Sequence, residues 1–228
     1  MTNIFKNFIQ IAGVIDQQEA DLLINCGVEF LGFPLRLPVN KEDLTEEQAS
    51  NIIKNLDSPN KGLLITYLSQ ADEIKEFCDY LGTDIVQLHG PISLDELQKL
   101  KQTNPEIIII KSLVVREGNF NQLEKDVSEM NEYVDAFITD TFDPITGASG
   151  ATGKTHDWSI SRSLVELSPK PVILAGGLNA DNVYDAILQV KPAGVDTHTG
   201  VEKTDGRKDP ELVKRFIENA TKAFNEIS

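Results

Sequence analysis

The sequence is poor in the residues that specialised chemistry most often needs. Two cysteines, Cys26 and Cys78, and three histidines, His89, His156 and His198, occur in 228 residues. That is too few thiols for a disulfide framework or a zinc cluster. The histidines fall in no metal-ligand spacing, so no metal is expected. Both cysteines lie within predicted helices and read as small buried hydrophobes. Basic residues are scarce as well: 21 Lys and Arg against 36 Asp and Glu give a formal net charge of -15. A phosphate-backbone binder needs clustered cations, so nucleic acid is excluded as a partner. An anionic small molecule would have to be held locally, by backbone N–H groups or a few placed cations, against an unfavourable overall field. No apolar run approaches the roughly 18–20 residues that cross a bilayer, which argues against a membrane protein. The N-terminal MTNIFKNF lacks the apolar stretch and cleavage site of a secretory signal, and a cytoplasmic location is expected.

What the chain does have is alternation. Short apolar runs suited to strands buried on both faces recur at Phe8–Ala12, Phe30–Leu35, Gly62–Tyr67, Ile85–His89, Glu106–Val115, Ala136–Thr141, Pro171–Ala175 and Gly194–Thr197. Between them lie helical patterns at Asp16–Cys26, Thr45–Leu56, Ser69–Leu81, Ser93–Lys101, Phe120–Tyr133, Ser159–Leu167, Ala180–Val190 and Pro210–Ile227. Asp16 can cap the first helix, with Gly27 as its stop, and Thr45 with Gln48 forms the Thr-x-x-Gln capping box. Eight strand–helix units predict a single-domain α/β protein, a (β/α)8 TIM barrel over residues 1–228. An open doubly wound sheet is the second possibility. One connection is long: residues 142–158, FDPITGASGATGKTHDW, show no periodicity and follow the sixth strand, on the face where barrel active sites assemble. They read as a mobile lid.

The clearest local signal is Leu174-Ala175-Gly176-Gly177-Leu178-Asn179, ending the seventh strand. Paired glycines let backbone N–H groups approach a ligand, and Asn179 can cap a helix whose N-terminus favours an anion. Thr197-His198-Thr199-Gly200 follows the eighth strand, and barrel phosphate sites are frequently built from these two loops. Asp140, at the end of the sixth strand, can be a general acid with a raised pKa or a loop cap. Asp196 on the eighth strand could orient a substrate donor, and Gln87 and His89 on the fourth could line the pocket. Gly150-Ala151-Thr152-Gly153-Lys154 is similar to an anion-cradling loop without Walker spacing. Trp158 reads as a hydrophobic anchor for that loop.

Together these segments resemble the phosphoribosylanthranilate isomerase family of tryptophan biosynthesis over nearly the whole chain. The likeness is strongest in Asp84-Ile85-Val86-Gln87-Leu88-His89-Gly90, in Gly150 to Trp158, in Ile173 to Asn179, and in Gly194-Val195-Asp196 followed by Gly200-Val201-Glu202. The resemblance implies an Amadori rearrangement: an acid opens the ring of an aminoaldose phosphate, and a base removes the C2 proton to give an enolamine that tautomerises to the ketose. It puts the acid on Asp140 and phosphate binding on Gly176, Gly177 and Gly200; Gly153 and Thr199 are further phosphate candidates, and Arg36, Gln87, His89 and Asp196 are the pocket candidates. An intramolecular proton shift implies no cofactor. The implied partner is a phosphorylated sugar, bound by a monomer or homodimer.

The family's base is a cysteine in a Lys-Ile-Cys-Gly motif, and this chain reads Gln10-Ile11-Ala12-Gly13. A methyl group accepts no proton, and losing a positioned base typically costs ~10²–10⁴ in rate. The Ser-Pro-Arg segment after strand two is replaced by Gly32-Phe33-Pro34-Leu35-Arg36-Leu37-Pro38-Val39-Asn40-Lys41, with Arg36 and Lys41 the nearest cations. Thr197-His198-Thr199 stands where small serines are usual. A divergent paralogue could use His198 as substitute base, whereas a non-catalytic phosphosugar-binding protein would keep the phosphate loops alone. A substitution made to trap a ligand would explain Ala12 but neither Gln10 nor the altered loop.

Overall fold

The computed structural model describes residues 4–38, 44–141 and 157–227. Lys41 and nearly all of the predicted lid, with Gly153 and Lys154, lie outside the described residues. Eight parallel strands, β1 (Phe8–Ala12), β2 (Phe30–Pro34), β3 (Lys61–Thr66), β4 (Ile85–Leu88), β5 (Ile108–Val115), β6 (Ala136–Thr141), β7 (Val172–Leu174) and β8 (Gly194–Thr197), close into one barrel in sequence order. Pairing of Phe8 with Gly194 and Gln10 with Asp196 joins β8 to β1, so the open doubly wound alternative is corrected. The helices are α1 (Gln17–Asn25), α2 (Glu46–Lys54), α3 (Ala71–Leu81), α4 (Leu94–Thr103), α5 (Phe120–Met130), α6 (Trp158–Leu167), α7 (Val183–Val190) and α8 (Pro210–Ile227). No helix among the described residues is long and apolar enough to cross a membrane.

Local chemistry sets the helix starts. Asp16 accepts from the Glu19 N–H, Ser93 from Glu96, and Thr45 with Gln48 closes the reciprocal capping box. α1 ends one residue sooner than expected, leaving Cys26 as its partly buried C-cap, while Cys78 is buried inside α3. Several strands also end earlier than predicted. The chain leaves the ladder after a last one-sided bond, as where the His89 N–H donates to Thr66 O at 2.9 Å.

The period-2 pleat divides each strand between two cores. Outward residues such as Leu31, Leu64, Val86, Ile109, Phe137 and Val195 pack under the helices. Inward residues Phe8, Phe30, Ile85, Ile110, Ile138 and Ile173 fill the lumen, with the Phe8 and Phe30 rings 4.2 Å apart. The apolar plug forms a floor, and the next inward positions toward the strand C-termini carry the polar groups.

Candidate active site

On β1 the inward positions after Phe8 are Gln10 and Ala12; on β4 they are Gln87 and His89; β5 contributes Ser112, β6 Asp140 and β8 Asp196. Gln10, Gln87, Ser112, Asp140 and Asp196 are all buried. The Gln10 Nε2 group donates across the lumen to Gln87 Oε1 at 3.0 Å. That contact turns the Gln87 amide N–H toward His89 Nδ1 at 3.4 Å, and Ser112 Oγ lies 3.0 Å from the same nitrogen. Two donors on Nδ1 make it an acceptor and leave the imidazole proton on Nε2. Nε2 stands 2.5 Å from Asp140 Oδ2, an ion-pair distance without hydrogen-bond alignment, since Oδ2 has no geometric hydrogen bond. The other carboxylate oxygen, Oδ1, accepts from the Thr141 N–H at 2.8 Å.

Asp196 is the second lumen carboxyl. Burial, then the negative charge of Asp140, push its pKa up to about 7, while His89, Lys208 and a hydrogen bond from Gln10 act the other way. Its Oδ1 is buried with no hydrogen-bond partner, as is Gln10 Oε1. The buried charge of Asp140 thus adds to desolvation in favouring the protonated form of Asp196.

The rim over β7 and β8 is built mostly from backbone. Gly176 and Gly177 adopt φ of 99° and 67°, a left-handed conformation open to glycine at little cost. The Asn179 side chain accepts from the Asp181 and Asn182 N–H groups. It thus caps a turn ahead of α7, which starts at Val183 rather than Ala180. Thr197 Oγ1 donates to Leu178 O at 2.7 Å and locks the two loops together. Gly200 lies against the same carbonyl so closely that a Cβ there would stand 1.9 Å from the oxygen. Thr199, Gly200 and Val201 form a single 3-10 turn. Beneath it the fully buried Lys208 donates to His198 O at 2.9 Å and Glu202 Oε1 at 2.7 Å.

Asp140, Gln87, His89, Asp196 and Ala12 meet in the lumen, and Gly176, Gly177, Thr199 and Gly200 share the rim. Two of the expected residues have other claims on them. The Arg36 guanidinium pairs with both Glu46 oxygens, at 2.8 and 3.2 Å, and lies 3.7 Å over the Phe77 ring, which commits its charge to the helix layer. His198 reaches β1, its Nε2 falling 2.0 Å from where a Gly13 Cβ would be. Burial and the Lys208 ammonium, however, push its pKa down to about 3, a weak proton acceptor at neutral pH. Tyr67, Lys111 and Ser112 were not singled out from sequence. Lys111 donates to the Leu88 and Ser112 carbonyls, and burial lowers its pKa to about 8. With Tyr67, His89, Ser112 and Arg116 it lines a cavity of about 520 Å³ beside the lumen mouth. Period-2 counting from Ile110 would have found Ser112.

Residues 9–219 match the family described as N-(5'-phosphoribosyl)anthranilate (PRA) isomerase. The N-(5'-phosphoribosyl)anthranilate isomerase of Methanothrix thermoacetophila is 33% identical over 92% of this chain and 95% of its own. Among solved structures, phosphoribosylanthranilate isomerase from Thermotoga maritima aligns with a TM-score of 0.80 at 28% identity, covering 95% of this chain and 99% of that one. A phosphoribosylanthranilate isomerase structure in complex with reduced 1-(o-carboxyphenylamino)-1-deoxyribulose 5-phosphate aligns at 0.77 and 26% identity, covering 95% and 99%. With the barrel closed, the carboxyl pair in its lumen and the glycine loops on its rim, the chain belongs to the N-(5'-phosphoribosyl)anthranilate isomerase family.

Proposed function

We propose that this chain isomerises N-(5'-phosphoribosyl)anthranilate to the corresponding ketose phosphate, with Asp140 as the general acid. The observation that carries the reading is the position of Asp140, buried on β6 with His89 Nε2 2.5 Å from its Oδ2 and the glycine loops on the same rim. A proton delivered from Asp140 to the ring oxygen breaks the C1–O bond, whose electron pair leaves with that oxygen, and the nitrogen lone pair closes a protonated imine (iminium). Removal of the C2 proton then gives the enolamine, which tautomerises to the ketose. The phosphate would sit on the backbone N–H groups of Gly177, Thr199 and Gly200, an anion site that needs no cation in an acidic protein. A ligand of the class named for the relative's complex supplies such a phosphate. The cavity beside His89 gives the aryl amine a place.

Ala12 favours a second reading, a phosphosugar-binding protein that has lost turnover. The two separate on the decay of phosphoribosylanthranilate fluorescence with purified protein. Turnover that disappears in Asp140→Asn is the expected result; binding of the reduced product analogue without any turnover sinks the isomerase reading.

A further inference from the structure

Removing the C2 proton needs an acceptor, and the β1 position that carries a thiol in the resembling motif is here the methyl of Ala12, 4% exposed. Among the described residues, the carboxyls and imidazoles near enough to matter are His89, Asp140, Asp196 and His198. Asp140 is occupied as the acid, and His89 presents its protonated Nε2 to it. His198 is held against Gly13 and lies 3.4 Å from Glu202, with Lys208 on its own carbonyl. Asp196 remains.

We propose that Asp196 is the base of this barrel, its buried Oδ1 taking the C2 proton in place of the missing thiol. Three observations carry this. The carboxyl ends β8 facing the lumen, in register with Gln10, so it sits one strand over and two residues below Ala12 on the same face. It is nine-tenths buried, yet Oδ1 has no hydrogen-bond partner, an acceptor left open in the lumen. Its neighbour on β1 is the neutral amide of Gln10, which hydrogen-bonds the carboxyl without pairing it to a full positive charge. An ammonium there would hold Asp196 ionised and blunt its basicity. The other titratable groups that face it are Asp140 from β6, which strengthens its hold on a proton, and His89 just after β4 and Lys208 beyond β8, which weaken it. A pKa raised to about 7 suits a base working near neutrality.

The proton count closes. The reaction requires a proton on Asp140 and an ionised Asp196. Asp140 gives its proton to the ring oxygen, and Asp196 accepts the C2 proton as the C–H pair becomes the C1–C2 double bond and the imine pair returns to nitrogen. The pair carries one proton before and after, on opposite members.

The inference rests on the isomerase reading, and the experiment keeps the two apart. Full-length wild type, Asp196→Asn, Gln10→Lys and His198→Ala are assayed with N-(5'-phosphoribosyl)anthranilate from pH 5 to 9, and their affinity for reduced 1-(o-carboxyphenylamino)-1-deoxyribulose 5-phosphate is measured. In Asp196→Asn, kcat should fall ~10²–10⁴-fold, with analogue affinity within about threefold, which also reports folding. Gln10→Lys should move the ascending limb of kcat/KM to lower pH by at least about one unit, a change that a purely structural role would not produce. His198→Ala should keep the limb near its wild-type position. Installing Ala12→Cys in Asp196→Asn should recover part of the lost rate. Wild-type turnover that persists in Asp196→Asn, or a limb that moves only with His198→Ala, overturns Asp196 as base and leaves the isomerase standing. Absence of turnover by the wild type overturns both.

Discussion

The two halves of this barrel's mouth are made of different material. Over β7 and β8 the candidate phosphate site is backbone: left-handed Gly176 and Gly177, and Gly200 pressed onto the Leu178 carbonyl that Thr197 also holds. In the lumen below, the candidate chemistry is all side chain: Gln10, Gln87, His89, Ser112, Asp140 and Asp196. A backbone site changes only if the turn changes, and the turn is tied into the fold by steric contact. A side-chain site can be altered one residue at a time while the barrel stays closed. Ala12 and Gln10 depart from the resembling motif; the β8 turn departs too, at Thr197, His198 and Thr199, but it keeps the glycine that shapes its backbone.

The sharpest way to break the comparison is to ask whether the halves separate in function. Asp140→Asn keeps the shape of the side chain and its contact with the Thr141 N–H but cannot donate the proton. Turnover of phosphoribosylanthranilate should fall ~10²–10⁴-fold, while affinity for the reduced product analogue stays within about threefold. A comparable loss of affinity would mean that the halves are one unit.

Stability against pH should separate them next. Asp196 has its pKa raised from 3.8 to about 7 in the folded chain, so its contribution to stability is complete below pH 3.8 and is lost as pH rises toward 7. His198 has its pKa lowered from 6.5 to about 3, so its contribution is complete above pH 6.5 and is lost as pH falls toward 3. Between about pH 4 and 6.5 the two slopes oppose each other, each about 1.4 kcal/mol per pH unit. Relative to wild type, Asp196→Asn should therefore gain stability as pH rises through that window and His198→Gln should lose it, each by about 3 kcal/mol across it. Urea unfolding midpoints at fixed ionic strength measure both. Parallel curves for the three proteins would show that neither group is shifted.

On the backbone side, Gly200→Ala drives a methyl into the Leu178 carbonyl. The loops must part, which should cost about 1–3 kcal/mol of stability and weaken binding of inorganic phosphate and of the product analogue together. An unchanged phosphate affinity would remove Gly200 from the site.

How much of this was legible follows the same division. Strand count, closure and the glycine rim were readable because they depend on apolar periodicity and on local turn chemistry, as at Asp16, Thr45 and Gly176-Gly177. Inward placement of Asp140 and Asp196 followed from their strand-end positions. Arg36 misled because its partners, Glu46 and Phe77, come from α2 and α3, and no local pattern shows that they claim the guanidinium. His198 is a related case: the residue type suggests a base, but burial and then Lys208, ten residues on and folded beneath the turn, lower its proton affinity. Lys111 faces away from the lumen and is held by the Leu88 and Ser112 carbonyls, contacts that exist only after β4 and β5 pair. Long-range electrostatics was the illegible part, and it decides which carboxyl or imidazole can act.

The finest test lies inside the side-chain half. Ser112 Oγ and the Gln87 amide both address His89 Nδ1, at 3.0 and 3.4 Å, and so keep the imidazole proton on the nitrogen facing Asp140. Ser112→Ala removes one of the two. With Gln87 still in place the tautomer should persist, and the cost should be that of one hydrogen bond, about 0.5–1.5 kcal/mol. That corresponds to roughly a two- to tenfold fall in kcat with KM unchanged. Gln87→Leu should cost more, because it also strips Gln10 of its acceptor and frees the amide that hydrogen-bonds Asp196. If Ser112→Ala alone lowers kcat as far as Asp140→Asn does, then the serine, and not the glutamine relay from β1, sets the tautomer of His89.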